Sequence, residues 1–514
     1  MSDRYDIIII GTGAGGSTIA HSLAPTGKKI LILERGEFLV RSKDNWDPEK
    51  VFRQEIYHTQ EKWLTQDGDE FRPGQAYLVG GNTKVFGAAL LRLRKKDFEK
   101  IVYEDGISPA WPITYEELEP HYQEAERLYF VHGQRGEDPT EPPASEPYPY
   151  PKLSQEPRML EVYNQLRGLG IKAFHLPIGV QRFEDNIAGS PCIRCNTCDG
   201  FPCLVNAKGD AERACLIHAL AHSNVTLLTD AKAEKVDTND SGTRATAVQV
   251  TRQGRTERYE AQTIILSCGA INSAVLLLKS ANAKQPNGLA NSSGLVGRNY
   301  MRHNNSAMLA IDPFKKNPTI FQKTMAVNDY YFGGSRDPIG HISLIGKATE
   351  GILKAEKPFA PRFILKFMAE HSMDWWFTTE DLPRKENGVF LTPDGRIRLN
   401  LTPTNIAPHQ RLIRHWKKVL WKVGFRVMLT QSMPINAVAH QVGTCVMGKN
   451  AATSVLDTSN RTHDVENLYV VDGSFFPSAS AVNPALTIAA NALRVGEYLK
   501  QEMGLKKEAV YAKN

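Results

Sequence analysis

Two residues near the C-terminal end of the chain carry side chains that can handle a proton. His440 lies in the small-residue stretch INAVAHQVGTCVMG, and Asn483 lies in SASAVNPALT. A neutral imidazole with its ordinary pKa of about 6.5 accepts a proton at physiological pH, and an amide donates hydrogen bonds to a developing alkoxide. The pair therefore suits deprotonation of a hydroxyl group, although an isolated histidine is more often a buried residue with satisfied hydrogen bonds.

The elements around Asn483 restrict what its side chain can do. NLYVVDG predicts a short buried strand that ends at Asp472 and Gly473, and Asn483-Pro484 opens an apolar helix that runs to about Leu499. Proline suits the first turn of a helix, whose N-terminus favours negative charge nearby. Asn483 can therefore cap this helix or direct its amide into a cavity, and the segment alone favours the cap.

The N-terminal segment YDIIIIGTGAGGSTIAHSLAPTGKKILILERG predicts a dinucleotide site. A buried strand precedes Gly11, Gly13 and Gly16, a helix starts at about Ser17, and a second strand ends at Glu34. The glycines allow a tight turn and let backbone N–H groups approach a pyrophosphate at the helix start. An acid at the position of Glu34 accepts hydrogen bonds from the adenosine ribose and disfavours NADP. The motif alone does not separate FAD from NAD.

Other segments predict parts of the same nucleotide site. YLVGGNTKVFGAALLRLRKKDFE (77–99) combines Gly80-Gly81-Asn82-Thr83 with Gly87-Ala88-Ala89, which suits a backbone wrapped around a flat ring or phosphate, or simply a tight turn. NVTLLTDAKAEKVD and YEAQTIILSCGAINSAVLLLKS predict strands that return to the dinucleotide sheet. The second of these ends in a strand-to-helix turn at Cys268-Gly269-Ala270.

Composition indicates an ordinary globular protein. The 514 residues are 41% hydrophobic and 23% charged, and 62 basic against 56 acidic residues give a net charge of +6, which argues against nucleic acid as the main partner. No stretch approaches the roughly 18 uninterrupted apolar residues of a membrane span, and the N-terminus lacks the regions of a secretory signal. We therefore expect no membrane partner and a cytoplasmic location. Seven cysteines, an odd number, favour reduced thiols.

Together these motifs resemble the glucose–methanol–choline (GMC) oxidoreductases, an FAD-dependent family. The resemblance covers nearly the whole chain and rests on GTGAGG…LERG, GGNTKVFGA, LSCGAINSAVLL, VGRNYMRHN, HQVGTCVMG and VVDGSFFPSASAVNPALT. The combination of histidine with asparagine looks most like the pyranose-oxidase branch and its bacterial relatives that oxidise C3 of glucose or glucosides. Pyranose oxidases bind their flavin covalently through a histidine where this chain has Val85, so the resemblance implies non-covalent FAD.

The resemblance implies oxidation of a secondary hydroxyl, at C3 or C2 of a glucopyranose unit, to a ketone. His440 is then the general base, Asn483 the hydrogen-bond partner of the substrate, flavin N5 the hydride acceptor, and O2 or another acceptor reoxidises the flavin. The cofactor-binding residues implied are Gly11, Gly13, Ala14, Gly15, Gly16, Glu34, Arg35, Gly80, Asn82, Thr83, Phe86, Gly87, Ala88, Ala89, Ala233, Cys268, Gly269, Asp472, Gly473, Asn483, Pro484 and Thr487.

Two alternatives to a sugar oxidase stay open. One is a dehydrogenase of a non-sugar alcohol that passes electrons to a quinone or cytochrome, and the other is a lyase that binds FAD without using its redox chemistry. Aromatic residues around Trp375, Trp376 and Phe377 can form either a sugar-stacking surface or the core of an antiparallel sheet. The sequence does not determine the oligomeric state.

Four cysteines in CIRCNTCDGFPC form a separate motif. Cys192, Cys195, Cys198 and Cys203 have a spacing that resembles iron–sulfur or zinc ligation, and some relatives carry an iron–sulfur cluster in a comparable insertion. Ferredoxin-type runs place proline after the last cysteine, whereas here Pro202 precedes Cys203. Plain thiols or a disulfide are favoured, and we predict no metal.

The expected fold is α/β, or α+β when the whole chain is considered. A Rossmann-like FAD-binding domain is predicted from the discontinuous segments 1–45, 75–110, 200–310 and 435–514. A substrate domain, built on an antiparallel sheet with helices and surface insertions, is predicted from 46–74, 111–199 and 311–434.

Overall fold

We describe the protein from a computed structural model, which covers residues 4–333, 337, 339–437 and 440–505. The helices are α1 (Ala14–Leu23), α2 (Tyr115–Leu128), α3 (Pro157–Gly168), α4 (Ile217–Leu220), α5 (Ala270–Lys279), α6 (Glu350–Glu356), α7 (Arg362–His371), α8 (Ile406–Lys422) and α9 (Ala485–Glu502). The strands are β1 (Arg4–Ile10), β2 (Ile30–Leu33), β3 (Trp63–Thr65), β4 (Glu70–Phe71), β5 (Ile101–Tyr103), β6 (Gly106–Ser108), β7 (Val131–Gly133), β8 (Tyr150–Pro151), β9 (Phe174–His175), β10 (Ile178–Gly179), β11 (Val225–Leu228), β12 (Ala231–Thr238), β13 (Ala245–Arg252), β14 (Arg255–Leu266), β15 (Asn304–Ile311), β16 (Met325–Val327), β17 (His341–Leu344), β18 (Ser372–Thr379), β19 (Gly388–Leu391), β20 (Ile397–Asn400), β21 (Val427–Ser432) and β22 (Leu468–Val470).

A seven-stranded sheet brings together both ends of the chain. Its order is β11-β2-β1-β14-β13-β12, with β22 also paired to β14, and β11, β2, β1, β14 and β22 run parallel where they pair. Ile7 and Ile9 of β1 pack with α1 and α9 on one face, and Ile8 and Ile10 join a second core on the other. Both faces of β1 are covered, which explains the continuous run of isoleucines in a parallel strand.

A six-stranded antiparallel sheet lies in the other half of the fold, in the order β21-β15-β18-β17-β16-β9. One of its faces is apolar and packs on α3 and α8, where Met308, Trp375, Phe377 and Trp416 are fully buried. Trp375 and Phe377 therefore belong to a sheet core. Because neighbouring residues of a strand point to opposite faces, Trp376 lies on the other face with Ser343, and it is half-buried.

Smaller sheets complete the structure: β19-β20-β3-β4, β10-β7-β8 and β5-β6. The expected α/β class is confirmed: the nucleotide sheet is parallel around β1 and antiparallel at β12 and β13, and the second sheet is antiparallel, as predicted. The predicted domain limit at residue 310 falls inside β15, which pairs with β18 and β21 of the six-stranded sheet. The division into domains stays a prediction. Within the described residues, every helix is too short or too polar to cross a membrane.

Candidate active site

The glycine loop connects β1 to α1 and packs tightly against the sheet. Gly11 has φ +98°, a conformation that favours glycine, and a Cβ added there would lie 2.3 Å from the carbonyl oxygen of Ser267. A Cβ on Gly15 would lie 2.2 Å from the carbonyl oxygen of Val471, and one on Gly16 would lie 2.0 Å from that of Gly11. These three glycines therefore let the start of α1 approach the neighbouring strands.

Gly13 has a different environment from the other glycines of the loop. It is the N-cap of α1 without a side-chain cap, and the first turn contains no acidic residue. A Cβ added to Gly13 would meet none of the described residues within 4 Å. The N–H groups of a first helical turn have no partner within the helix. Open space beside such groups is what a pyrophosphate requires, so this part of the chain fits the phosphates of FAD.

Glu34 lies at the end of β2 and holds the glycine loop. Its Oε2 accepts hydrogen bonds from the backbone N–H of Thr12 at 2.9 Å and from its hydroxyl at 2.6 Å, while Oε1 accepts from the N–H of Gly36 at 2.9 Å. The Thr12 hydroxyl also accepts from the N–H of Gly80 at 3.0 Å. Burial raises the pKa of Glu34. Glu34 therefore positions two loops of the nucleotide site, and its contact with a ribose stays a prediction.

The second glycine loop lies against the first. Gly81 begins a 3₁₀ turn over Gly81–Lys84, and a Cβ on Gly81 would lie 3.1 Å from the Cα of Gly13. The Asn82 amide donates to Gln75 and accepts from the N–H of Ala76, at 2.7 and 2.9 Å. The loop is thus fixed by its own polar contacts beside the open space at Gly13.

The remaining residues predicted to bind the cofactor occupy several environments. The Thr83 hydroxyl donates to the Gly80 carbonyl. Arg35 forms an ion pair with Glu61 and lies over the Tyr77 ring.

The apolar residues of this set lie in or near the core. Ala88 is buried with φ +55°, and Ala89 forms an isolated bridge with Ile178. Phe86 and Ala233 are half-buried, whereas the buried Thr487 hydroxyl is hydrogen-bonded to Tyr122 at 2.7 Å.

Asp472 joins the strand-to-helix turn at Cys268-Gly269 to the C-terminal segment. Its Oδ2 accepts from the N–H of Gly269 at 3.0 Å and from the hydroxyl of Ser273, and its Oδ1 accepts from the N–H of Ser474 at 2.9 Å. A Cβ added to Gly473 would lie 2.5 Å from the carbonyl oxygen of Gln441. Gly473 therefore permits close approach of the segment that contains His440.

A chain of hydrogen bonds passes through the imidazole of His440, from His303 on one side to Asn483 on the other. His303 Nε2 lies 3.1 Å from the carbonyl oxygen of Ala479, His303 Nδ1 lies 2.9 Å from His440 Nδ1, and His440 Nε2 lies 3.1 Å from the Asn483 amide nitrogen. Because a carbonyl oxygen only accepts, His303 carries its proton on Nε2 and accepts on Nδ1. His440 Nδ1 must then donate, which leaves His440 Nε2 without a proton and able to accept from Asn483.

The surroundings keep both imidazoles neutral. Burial lowers the pKa of His303 to about 4. Burial also lowers the pKa of His440 well below its ordinary value, and His303, Lys323 and His341 act in the same direction. The side chain of His440 is nevertheless partly exposed. A bare Nε2 on a neutral, accessible ring is the state that a proton acceptor requires.

Asn483 does not cap the following helix. Pro484 is the N-cap residue of α9, no side-chain cap is formed, and the Asn483 amide instead contacts His440. The helix begins at Ala485 and continues to Glu502, three residues beyond the predicted end. The cap favoured from the segment alone is therefore wrong, and the amide is directed to the histidine.

Strained backbone surrounds this pair. His440 and Ser480 have φ +57° and +55°, in a region that residues other than glycine seldom adopt and that is enriched at functional sites. The turn at Ser480 is held by Glu380, whose Oε1 accepts from the N–H of Ser480 at 3.0 Å, and by Tyr331, whose hydroxyl accepts from the N–H of Ala481 at 3.0 Å. Burial raises the pKa of Glu380 to about 7.

The second face of the six-stranded sheet is polar and continues from His303. His341 is opposite Thr378, and Thr378 is opposite Asn305, so the three side chains lie on one face. The Thr378 hydroxyl donates to the Asn305 amide oxygen at 3.0 Å. His303 precedes Asn305 by two residues. The sheet therefore separates an apolar core from a polar wall.

An ion pair between the buried Lys323 and the half-buried Asp199 lies between the glycine loop and this sheet. Lys323 Nζ pairs with Asp199 Oδ1, and Asp199 Oδ2 accepts from the N–H of Gly346 at 2.5 Å. A Cβ on Gly87 would lie 1.6 Å from Asp199 Oδ1 and 1.8 Å from Lys323 Nζ. Gly87 therefore makes room for the charged pair beside the loop.

The four clustered cysteines are free thiols in the structure. Cys192 and Cys198 are buried in a small apolar cluster, and burial raises their pKa to about 11 and about 12. Cys203 Sγ accepts from the N–H of Ala207 at 3.3 Å. Over the described part of the chain, no three or more histidine, cysteine or acidic side chains form a group that could hold a metal ion.

Sequence reasoning did not identify His303, His341 or Lys323. His303 lies in VGRNYMRHN, a motif whose histidine adjoins the start of β15, and this position was a usable signal. His341 and Lys323 lie in segments without a motif. The pairing of β17 with β18 places His341, whereas Lys323 precedes β16 by two residues.

Comparison with known proteins agrees with this architecture. The N-terminal part of the GMC oxidoreductase family matches residues 5–305, and its C-terminal part matches residues 424–492. The chain is 29% identical to 6'''-hydroxyparomomycin C oxidase of Streptomyces lividus, over 99% of this chain and 94% of that protein. It is 28% identical to paromamine 6'-oxidase of Streptomyces fradiae, over 95% and 90%.

A solved structure shows the same fold at lower identity. Formate oxidase of Aspergillus oryzae RIB40 superposes with a TM-score of 0.69 at 14% identity, over 98% of this chain and 99% of that one. The nucleotide sheet, the space beside Gly13 and the family match lead to one conclusion. The chain belongs to the GMC oxidoreductase family and is an FAD-dependent oxidoreductase.

Proposed function

We propose that the protein oxidises a hydroxyl group of a sugar or glycoside to a carbonyl, with the secondary hydroxyl at C3 or C2 of a glucopyranose unit as its target. The proton-free Nε2 of His440, held between His303 and Asn483, carries this proposal. The two Streptomyces relatives are named as oxidases of aminoglycosides, which are sugar-like polyols. The polar wall with His341 and the half-buried Trp376 supports the same class of substrate.

The chain's own residues account for the proton. His440 Nε2 takes the hydroxyl proton, and the resulting imidazolium donates to His303 through Nδ1 and to the substrate oxygen through Nε2. The Asn483 amide, now without an acceptor on His440, donates to the same oxygen. FAD, when bound, would supply the acceptor for the C–H hydrogen together with its two electrons, that is, for a hydride. His440 and Asn483 thus stabilise the oxygen while the carbonyl forms.

Val85 and the glycine loop around Gly13 indicate whether FAD is bound covalently. We propose non-covalent binding, because Val85 offers no nucleophile and the contacts available are the N–H groups of the glycine loop. O2 or another acceptor removes the electrons after each turnover. Denaturation followed by filtration should release all flavin from the polypeptide, and flavin that remains attached would contradict this part of the proposal.

Anaerobic spectroscopy of the purified protein tests the proposed reaction. The flavin absorbance should bleach when D-glucose or methyl β-D-glucoside is added, and mass analysis of the product should show a loss of two hydrogens at C3 or C2. Oxidation at a primary C6 hydroxyl would overturn the assignment of C3 or C2 as the oxidised carbon, but the protein would still be a sugar oxidase. Flavin that stays oxidised with both sugars would overturn the sugar substrate and favour another alcohol or a lyase.

A further inference from the structure

One nitrogen of His341 is buried and has no hydrogen-bond partner among the residues that the structure describes. His341 begins β17 and is 1% exposed, and its Nε2 makes no hydrogen bond to any of those residues. Buried polar atoms are almost always paired, so an unpaired one calls for an explanation, such as a functional role or a bound water or ion.

The other side of the ring determines the state of that nitrogen. His341 Nδ1 lies 2.7 Å from the amide oxygen of Asn328, whose amide nitrogen donates to Asp138 Oδ2 at 2.7 Å. Asp138 also pairs with Arg94. Since the carboxylate of Asp138 only accepts, the Asn328 amide oxygen faces His341 and receives its Nδ1 proton.

The neutral ring therefore has a bare acceptor at Nε2. Burial lowers the pKa of His341 to about 3, with Arg94 acting in the same direction, so the ring is neutral at physiological pH. This tautomer is fixed by the contacts on the Nδ1 side of the ring, which involve Asn328, Asp138 and Arg94. Such a nitrogen can accept a hydrogen bond, and it has no proton to donate.

The fold places this acceptor on the wall that faces His440. His341, Thr378 and Asn305 lie side by side on the polar face of the six-stranded sheet, and His303, the partner of His440, precedes Asn305 by two residues. The opposite face of the sheet is the apolar core and offers no route for a ligand.

We propose that His341 Nε2 accepts a hydrogen bond from a second hydroxyl of the sugar, separate from the hydroxyl that His440 deprotonates. This inference rests on the proposed sugar substrate and adds a specificity-determining contact to it. A site that is built to bind a hydroxyl rejects the analogue without it, because the buried acceptor is then left unpaired. The substrate class is therefore a polyol ring with at least two hydroxyls in reach of this wall.

Deoxy sugars test the contact in the wild-type holoenzyme. Flavin reduction is measured with D-glucose, methyl β-D-glucoside and the 2-, 3-, 4- and 6-deoxy derivatives of glucose. Besides the analogue that lacks the reacting hydroxyl, one other should lose about 10- to 100-fold in kcat/KM, the usual effect of leaving a buried acceptor unpaired. Equal rates for all the analogues that keep the reacting hydroxyl would overturn the proposal.

A variant of His341 tests whether this residue causes the selectivity among deoxy sugars. His341→Phe should lower kcat/KM for glucose about 10- to 100-fold but change it less than about 3-fold for the sensitive deoxy sugar, since in a double-mutant cycle the two losses are not additive. His341→Gln, which retains an acceptor oxygen, should recover part of the discrimination. A loss that is the same for every sugar would overturn the assignment.

His409 provides the matched control. It is equally buried but lies on the apolar side of the sheet, and both of its nitrogens are paired, with Ser306 and Thr379 at 2.8 and 2.9 Å. His409→Phe should lower the melting temperature and leave the ranking of deoxy sugars unchanged. If the wild-type flavin is not reduced by any sugar, the proposed function fails and this inference with it. Reduction without any His341-dependent selectivity overturns this inference alone.

Discussion

The Nδ1 atoms of His303 and His440 lie 2.9 Å apart, and this contact determines which nitrogen of His440 can take a proton. The Ala479 carbonyl fixes the proton of His303 on Nε2, so His303 accepts from His440. A main-chain carbonyl thereby sets the tautomer of a ring two hydrogen bonds away. His303 is a positioning residue in this arrangement, because it reaches the substrate only through His440.

Replacing His440 by alanine should slow anaerobic flavin reduction by about 10² to 10⁴-fold, the usual contribution of a general base. The variant loses the bare Nε2 but keeps the glycine loop, so its FAD content should match that of the wild type. Stopped-flow absorbance of the flavin measures the rate. His222→Ala removes an exposed histidine and should reduce normally. A normal rate in the His440 variant would sink the assignment of the base.

Replacing His303 by phenylalanine should slow flavin reduction about 10-fold, because His440 Nδ1 loses its acceptor and the ring can rotate or change tautomer. His303→Asn offers an amide oxygen to the same N–H and should recover part of the rate. The pH profile distinguishes a positioning role from a structural one. The acid limb of the profile, which reports His440, should move in the phenylalanine variant, and an unmoved limb with a lower rate would indicate only a structural defect.

Gly13→Ala should impair FAD binding, whereas Gly15→Ala should impair the stability of the fold. The Cβ at Gly13 enters open space, so that variant should fold normally and lose affinity for FAD, because the methyl group occupies the approach to the helix start. The Cβ at Gly15 would lie 2.2 Å from the Val471 carbonyl oxygen, so the fold itself should be destabilised. Flavin content and melting temperature measure the two effects. A normal flavin content in the Gly13 variant would contradict its assignment to the phosphate side, and a normal melting temperature in the Gly15 variant would contradict the predicted clash.

Iron and acid-labile sulfide should be absent from the purified protein. Cys192 and Cys198 pack in a small apolar cluster, and the described residues contain no group of three or more histidine, cysteine or acidic side chains that could hold a metal ion. Cys195→Ser and Cys203→Ser should therefore keep the flavin content and the rate of flavin reduction. Elemental analysis of the holoenzyme is the measurement. Stoichiometric iron together with broad absorbance beneath the flavin bands would restore the iron–sulfur interpretation.

The sequence was sufficient for features encoded locally. β1, the glycine loop and Glu34 were predictable because spacing along the chain is itself the signal of a βαβ nucleotide unit. Contacts across strands were not. Asn483 next to Pro484 looks like a helix cap, and only the approach of the 440 segment, which Gly473 permits, directs its amide to His440. His341 needs β17, β18 and β15 in register before it joins the site, and residue spacing does not determine that register.

Buried histidines should make the protein sensitive to acid, and His409 isolates one contribution. Burial alone lowers its pKa to about 4, against about 6.5 in the unfolded chain. Below pH 6.5 the unfolded chain takes up a proton that the folded protein does not. The stabilising contribution is therefore complete above pH 6.5 and is lost as the pH falls towards 4, at up to about 1.4 kcal/mol per pH unit.

His409→Gln should remove this part of the pH dependence. We expect a lower free energy of unfolding at pH 7.5, because the hydrogen bonds to Ser306 and Thr379 are weakened, and a shallower decline between pH 6.5 and 4.5. Urea unfolding of the holoenzyme at several pH values measures both, with His222→Gln as the exposed control. Parallel pH curves for His409→Gln and the wild type would show that His409 takes up its proton in the folded protein as readily as in the unfolded chain, which its burial opposes.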